Sequence, residues 1–95
     1  MSDPALLVLA SLVEGDKHGY AIMVDIQRFA GLRLGPGTLY GAITRLEERG
    51  WIRPVPSEDR RQPYAITAAG REYLEEQTAV LERVVRTAAR RLRHA

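Results

Sequence analysis

Apolar side chains recur at helical spacing in three short segments of the first half of the chain. They predict helices over Pro4–Glu14, about Lys17–Ala30 and Pro36–Arg49. Asp3 and Asp16 stand at the N-cap positions of the first two helices. The apolar stripes that these two helices would bury consist of Leu6, Leu9, Ala10 and Val13 in the first and Ile22, Met23, Ile26, Phe29 and Ala30 in the second.

The third predicted helix carries two glycines on its outer face. Pro36 suits a first helical turn, and Gly50 supplies the left-handed residue that ends a helix. The buried arc holds Leu39, Ala42, Ile43 and Leu46, and the opposite arc holds Gly37, Gly41, Thr44 and Glu48. Because a glycine costs a helix roughly 0.5–1 kcal/mol relative to alanine, we expect another molecule to approach the backbone at this face. The alternative is that Gly37 belongs only to the first turn and that Gly41 has no role.

Two short strands follow the third helix. The segments Trp51–Val55 and Pro63–Ile66 read as strands, and each contains a proline that cannot donate to a central ladder. We therefore expect a two-stranded edge ribbon that packs on the helices. The tip of this ribbon is charged, with Glu58, Asp59, Arg60 and Arg61. Taken alone, such a tip is equally well explained as a solvated loop.

A long helix closes the chain, predicted from Ala68 to about Leu92 with Thr67 as its N-cap. An apolar seam of coiled-coil period runs along it through Leu74, Thr78, Leu81, Val85, Ala88 and Leu92, with Val84 beside it. The helix would extend about 37 Å, which is more than a domain this small can cover. We expect a second copy of the chain on the seam, and the alternative is packing against helix one. The chain is thus divided into a first domain, 1–67, and a dimerisation helix, 68–95.

Composition adds little to this pattern. The 95 residues carry a net charge of +2 and no cysteine. The excess positive charge lies in residues 33–61, which hold six basic and four acidic side chains. The N-terminus, Met1–Pro4, lacks the positive segment of a signal peptide, and no apolar run is long enough to span a membrane. We expect a cytoplasmic protein that does not enter a membrane.

The sequence offers no candidate catalytic or metal centre. His18 and His94 are the only histidines, cysteine is absent, and the acidic residues follow helix-surface patterns. Ser11 and Ser57 have no base nearby in the sequence. We therefore expect no enzyme activity, no metal site and no cofactor.

Together, three helices, a ribbon and a long closing helix predict a mainly α fold with a small β-hairpin: a winged helix-turn-helix with a C-terminal dimerisation helix. At this point the chain resembles the PadR-type transcriptional regulators. The resemblance is carried in order by Leu6 to Leu12, His18-Gly19-Tyr20, Gly37-Thr38-Leu39-Tyr40, Arg45-Leu46-Glu47, Gly50-Trp51-Ile52 and the block from Tyr64 to Arg71. Several blocks in the same order are more specific than any single one.

The resemblance implies a dimeric repressor that binds double-stranded DNA, and the symmetry of such a dimer predicts an inverted-repeat operator. It places the third helix in the major groove and the wing on the DNA backbone or minor groove. By position, Thr38, Tyr40 and Arg45 match the DNA-proximal residues of the family's third helix, and Arg60 and Arg61 match its basic wing. With the outer-face residues, the candidate DNA-binding set is Gly37, Thr38, Tyr40, Gly41, Thr44, Arg45, Arg60 and Arg61.

The residues themselves leave alternatives open for two of these side chains. Tyr40 lies on the flank of the third helix, so its hydroxyl can reach a phosphate, and it can equally be half-buried against the wing. Arg45 lies on the other flank, where it can reach a phosphate or a guanine edge, or pair with Glu48. Glu47 and Glu48 would be repelled by phosphates, so only the N-terminal half of the helix is expected to go deep.

Two further expectations concern function. In the short branch that this chain resembles, flat apolar compounds bind between subunits on a tryptophan of the last helix, and here that helix has none. A cavity lined by Val84, Val85, Ala88 and helix-one residues would hold a small apolar effector without stacking on Trp51. The rival to DNA binding is a winged-helix protein-interaction module, which the small net charge and the Glu47-Glu48 pair keep open.

Overall fold

A computed structural model describes residues 3–95 of the chain. Met1 and Ser2, where the predicted first domain and the N-terminal segment begin, lie outside them. The four helices are α1 (Pro4–Val13), α2 (Gly19–Ala30), α3 (Pro36–Glu48) and α4 (Ala68–Arg93), and the strands are β1 (Lys17–His18), β2 (Ile52–Pro54) and β3 (Pro63–Ile66). This element order, mainly helical with a small antiparallel sheet, confirms the predicted winged helix-turn-helix fold class.

The core lies where α1, α2 and α3 meet the sheet. Its buried side chains are Val8, Leu9, Leu12, Ile22, Ile26, Leu39, Ala42, Ile43, Leu46 and Ile52. All four predicted core residues of α3 are among them. The predicted stripes of the other helices were less accurate, because Phe29 is 50% exposed and the buried face of α1 is turned toward Val8 and Leu12, away from Ala10 and Val13.

The two predicted strands pair as a hairpin, but a third strand, β1, joins them, so the prediction of only two strands was wrong. The order of the sheet is β1-β3-β2, with Lys17 opposite Tyr64 and Ile52 opposite Ile66 in antiparallel pairs. The second helix consequently begins two residues later than predicted. His18 has an extended backbone, and its Nδ1 accepts a hydrogen bond from the Ala21 N–H at 3.3 Å. His18, and not Asp16, is therefore the N-cap of α2.

The start of α4 is fixed against the corner between α3 and β2. The Thr67 hydroxyl accepts from the Gly70 N–H at 3.1 Å and donates to the Gly50 carbonyl at 2.6 Å. Gly70 is buried so closely that a Cβ there would overlap the Trp51 carbonyl oxygen. Trp51 also stacks on Tyr73, with ring centroids 3.8 Å apart and planes inclined by 15°. These contacts orient α4 relative to the core.

Beyond this corner, α4 projects away from the rest of the chain. Gly70 is its only fully buried residue, and the described chain extends 55 × 26 × 20 Å. Because helical backbone hydrogen bonds alone hardly stabilise an isolated helix, such a projection ordinarily packs against something. Within residues 3–95, no helix has the length and apolar character needed to cross a membrane.

Candidate nucleic-acid interface

The outer face of α3 is open at its N-terminal end. Nothing lies within 4 Å of the position that a Cβ on Gly37 would take, and the neighbouring Thr38 is exposed. Thr44, two turns further along, donates its hydroxyl to the Tyr40 carbonyl at 2.9 Å. That hydroxyl proton is already bound, so Thr44 offers mainly its methyl group and its lone pairs to a partner. On this face, another molecule can therefore come closest to the helix backbone at Gly37.

Gly41 and Arg45 form the next part of this face. The Arg45 Nη1 lies 3.5 Å from the position of a Cβ on Gly41, so the arginine side chain folds back over the glycine. Arg45 does not pair with Glu48 in the described part of the chain. Arg45 also lines a small crevice of about 150 Å³ with Arg49, Trp51 and Tyr73. Arg45 is therefore free to turn toward a ligand at the outer face.

Tyr40 leans on the beginning of α2. Its side chain is 48% exposed, and a Cβ on Gly19 would overlap its hydroxyl oxygen. The ring thus lies over Gly19, which only a glycine permits at this distance. The structure supports Tyr40 on α2, at a cavity that Arg60 and Arg61 also line. Contact of its hydroxyl with a phosphate stays a prediction.

The wing and α3 meet in a cavity of about 430 Å³. Three predicted DNA-binding residues, Tyr40, Arg60 and Arg61, line it. The other lining residues are His18, Gly19, Tyr20, Gln62 and Tyr64. Burial raises the pKa of the Tyr64 phenol, and the charges of Glu47 and Tyr40 add to the rise. The phenol therefore remains a protonated hydrogen-bond donor throughout the neutral range.

Sequence reasoning assigned no binding role to the other five lining residues, of which His18 and Tyr20 are the two best placed to meet a ligand. The Arg61 Nη1 lies 3.2 Å from the His18 Nε2, and Tyr20 is 63% exposed at the rim. The block His18-Gly19-Tyr20 entered the sequence analysis only as part of the family resemblance. A histidine before a helix start, followed by glycine, was the available signal, because the glycine admits a large side chain over the first turn.

The residues predicted for dimerisation lie along one exposed side of α4. Leu81 is 49%, Val85 63% and Leu92 78% exposed, while Leu74 packs against the core. An open groove of about 780 Å³ runs beside Val84, Ala88 and Leu92. Another of about 330 Å³ includes Val13, Leu74 and Thr78. Within one chain the larger groove is lined by α4 and the residues that follow it, and helix one lines only the smaller groove, through Val13. The effector cavity at Val84, Val85, Ala88 and helix one stays a prediction.

The model of the transcriptional regulator PadR-like family matches residues 8–76. The chain belongs to this family. The match covers the C-terminal part of α1, all of α2 and α3, the sheet and the first turns of α4, and these elements include those that build the cavity and the outer face of α3. It also confirms the sequence-based family assignment and shows that the chain is a transcriptional regulator and not an enzyme.

Individual relatives agree with the family match. The transcriptional regulator Rv3488 of Mycobacterium tuberculosis is 33% identical over 84 residues, which are 85% of this chain and 78% of that protein. An uncharacterised 37.1 kDa protein in transposon TN4556 of Streptomyces fradiae is 45% identical over 83 residues, 87% of this chain. The chain spans only 24% of the length of that second relative.

Solved structures share the fold. A transcriptional regulator from Clostridium thermocellum has a TM-score of 0.81 and 29% identity, over 92% of this chain and 87% of that one. A PadR family transcription regulator from Clostridium difficile has a TM-score of 0.85 at 23% identity, over 94% and 97% of the two chains. The fold similarity extends over more of the chain than the family model does, and so includes much of α4.

Proposed function

We propose that this PadR-family regulator binds double-stranded DNA sequence-specifically, with the N-terminal half of α3 in the major groove and the wing on the phosphate backbone. The observation that supports this most directly is the open backbone at Gly37, beside an exposed Thr38. Tyr40 of the same helix lines the cavity that contains Arg60 and Arg61 of the wing. A helix enters a major groove more deeply where side chains do not hold it off. A protein that binds DNA must share its compartment, so a cytoplasmic location is part of this proposal.

The arginines would have different roles in such a complex. Arg60 and Arg61 lie on the exposed wing, where a guanidinium suits phosphate oxygens. The Arg45 side chain lies over Gly41 and would rotate away from it to reach a base edge or a phosphate. Glu47 and Glu48 follow on the same helix and are exposed, so they keep its C-terminal half away from the phosphates.

Selection of bound duplexes from a random pool tests sequence-specific binding directly. We expect enrichment of one motif, and a steep fall in affinity with rising salt because counterions are released from DNA. A protein-interaction module without DNA binding would enrich no motif and show almost no salt slope for duplex DNA. That result would reject the proposal.

Wing and helix variants separate backbone contacts from base contacts. Replacing Arg60 and Arg61 with alanine is expected to weaken all duplexes similarly, by about tenfold at moderate salt, and to flatten the salt slope. Thr38→Ala and Arg45→Ala are expected to change the preferred sequence if these side chains reach base edges. Fluorescence anisotropy on matched and mismatched duplexes measures both effects.

A matched control removes two arginines elsewhere. Arg90 and Arg93 are exposed near the end of α4, so replacing both with alanine changes the net charge equally without touching the wing. If the wing variant retained the wild-type affinity and slope, or behaved like this control, the wing would not contact DNA.

We further propose that the protein acts as a homodimer, joined through the apolar side of α4, and represses transcription from an inverted-repeat operator. The exposed residues Leu81, Val85 and Leu92 support the dimer, because monomers rarely leave such a continuous apolar strip in water. Two-fold symmetry would place half-sites about one helical turn apart on the DNA. In this proposal, residues 1–67 bind DNA and residues 68–95 join the two chains.

Regulation by a small apolar molecule completes the proposal, with the α4 groove at Val84, Ala88 and Leu92 as its binding region. A planar cationic dye is expected to bind weakly or not at all, and without quenching Trp51. The reason is that one face of the Trp51 ring is already stacked on Tyr73, and the Arg49 guanidinium lies 5.2 Å from its centre. Titration of such a dye, followed by Trp51 fluorescence and by duplex affinity, measures this.

A second dye without a flat ring system controls for general hydrophobic binding. Tight binding that quenches the indole and releases DNA would contradict this expectation. It would mean that the Trp51–Tyr73 stack opens to admit a ligand.

A further inference from the structure

The imidazole of His18 is placed between two hydrogen-bond donors. The Ala21 N–H points at Nδ1 from 3.3 Å, and the Arg61 Nη1 lies 3.2 Å from Nε2. A neutral imidazole has one donor nitrogen and one acceptor nitrogen, and neither a backbone N–H nor a guanidinium can accept. His18 therefore cannot satisfy both donors at once in any ordinary protonation state.

Each way of resolving this conflict within the chain leaves a group unsatisfied. With the proton on Nε2, the cap on α2 is kept and two donors, Nε2–H and Arg61, face each other. With the proton on Nδ1, Arg61 is satisfied and the cap is lost, which typically costs about 1 kcal/mol. A charged imidazolium satisfies neither donor.

An anion beside Nε2 removes the conflict completely. It accepts from Nε2–H and from Arg61 together, while Nδ1 keeps the hydrogen bond from Ala21. We propose that His18 and Arg61 form a two-point binding site for one phosphate group of the DNA backbone. This site deepens the DNA-binding proposal and rests on it, and it gives His18 a role in ligand binding beyond its role as a helix cap.

The surroundings of His18 suit a phosphate. The cavity is open to solvent, and Tyr40 and Arg60 line it together with the pair. Glu14 and Asp25 line a neighbouring cavity that His18 and Arg61 also border. The Lys17 Nζ lies 3.3 Å from Glu14 and 4.0 Å from Asp25, so a positive charge partly balances these carboxylates. The residues that line the cavity with Tyr40 include two arginines and no acidic residue, so a phosphate in it would be stabilised by charge-assisted hydrogen bonds.

Nuclear magnetic resonance of the histidine rings tests the site on the unaltered protein. His18 and His94 are the only two histidines, so ¹⁵N-histidine labelling gives two ring systems, and a His94→Ser variant assigns them. On addition of a mixed-sequence 30-base-pair duplex, the His18 ring is expected to become a single tautomer with the proton on Nε2. Unchanged His18 signals at a duplex concentration that saturates binding would overturn the site.

A variant test isolates the donor from the cap. His18→Ser keeps a side chain that caps helices well and removes the donor at Nε2. It is expected to lower duplex affinity about three- to tenfold, while His94→Ser leaves it unchanged. In the Arg61→Ala background, the same change is expected to cost clearly less, because both side chains hold one phosphate. Equal losses in both backgrounds would mean that they act separately.

Further measurements distinguish a DNA phosphate from a free phosphate ion. They also separate failure of this site from failure of DNA binding as a whole. Millimolar inorganic phosphate is expected to shift the His18 signals only slightly. If inorganic phosphate alone fixed the tautomer and duplex DNA did not, the site would belong to a free anion and the backbone assignment would be wrong. If no duplex bound under any condition, DNA binding itself would fail. Duplex binding with normal affinity in His18→Ser would reject this site alone.

Discussion

Replacing Gly70 with alanine is expected to destabilise the fold by about 2 kcal/mol or more. Gly70 lies in the first turn of α4, where alanine would otherwise be the better helix former. Its Cβ, however, would overlap the Trp51 carbonyl oxygen and lie 2.9 Å from the Ile66 Cγ1. A backbone carbonyl cannot turn aside as a flexible side chain does, so α4 must move off the corner. Urea denaturation measures the loss.

Gly37→Ala is the matched control, since a Cβ there meets only open space. That change is expected to stabilise the protein by roughly 0.5–1 kcal/mol and to weaken duplex binding, because the added methyl group stands on the outer face of α3. If Gly70→Ala were as stable as the wild type, the close packing of α4 against Trp51 would not exist in solution. If Gly37→Ala left DNA affinity unchanged, the open backbone would not be the point of close approach.

The helices of this fold were predictable because their signals are local. Pro36 and Gly50 bound α3 within one residue of its observed end, and its four buried side chains follow from angular position alone. Thr67 caps α4 as predicted, through a bond to Gly70. Each of these features depends on residues no more than one or two turns apart, which is the range over which periodicity and capping carry information.

The sheet was less predictable because its pairing is long-range. Two residues, Lys17 and His18, are too few to show alternation, and their strand exists only because Tyr64 and Pro63 lie opposite. Asp16 is an ordinary N-cap residue, so it was the natural choice at the start of α2, while histidine caps helices less often. Phe29 was assigned to the core from its spacing, but α2 ends beside solvent and leaves it half exposed.

In the candidate site, too, features of a single helix were predictable and contacts between elements were not. The open backbone at Gly37 could be predicted from one helix, and so could the apolar side of α4. The contact between His18 and Arg61 joins residues 43 positions apart and depends on how the wing folds back over α2. The support of Tyr40 by Gly19 likewise crosses between helices. Sequence patterns identified Tyr40, Arg60 and Arg61, and only the fold shows that they share a cavity with His18 and Tyr20.

Introducing glutamates at Leu81 and Val85 is expected to dissociate the proposed dimer. Both side chains lie on the apolar side of α4 and are 49% and 63% exposed in the single chain. In a dimer they would be buried against a second copy, where two unpaired carboxylates per chain cost several kcal/mol. We expect the dimer dissociation constant to rise more than about 100-fold, with a parallel loss of affinity for an inverted-repeat duplex. Sedimentation velocity at micromolar concentration measures the first effect.

Arg86→Gln with Arg90→Gln is the matched control for that pair. It lowers the net charge by the same two units on the opposite, polar side of α4 and is expected to leave the dimer intact. Because Leu81 and Val85 contribute little to the core of one chain, the glutamate variant is expected to keep the folded winged domain, which circular dichroism checks. A wild type that sediments as a monomer would contradict the dimer outright. A glutamate variant that stayed dimeric would place the interface elsewhere, since an α4 seam cannot bury these four added charges without separating.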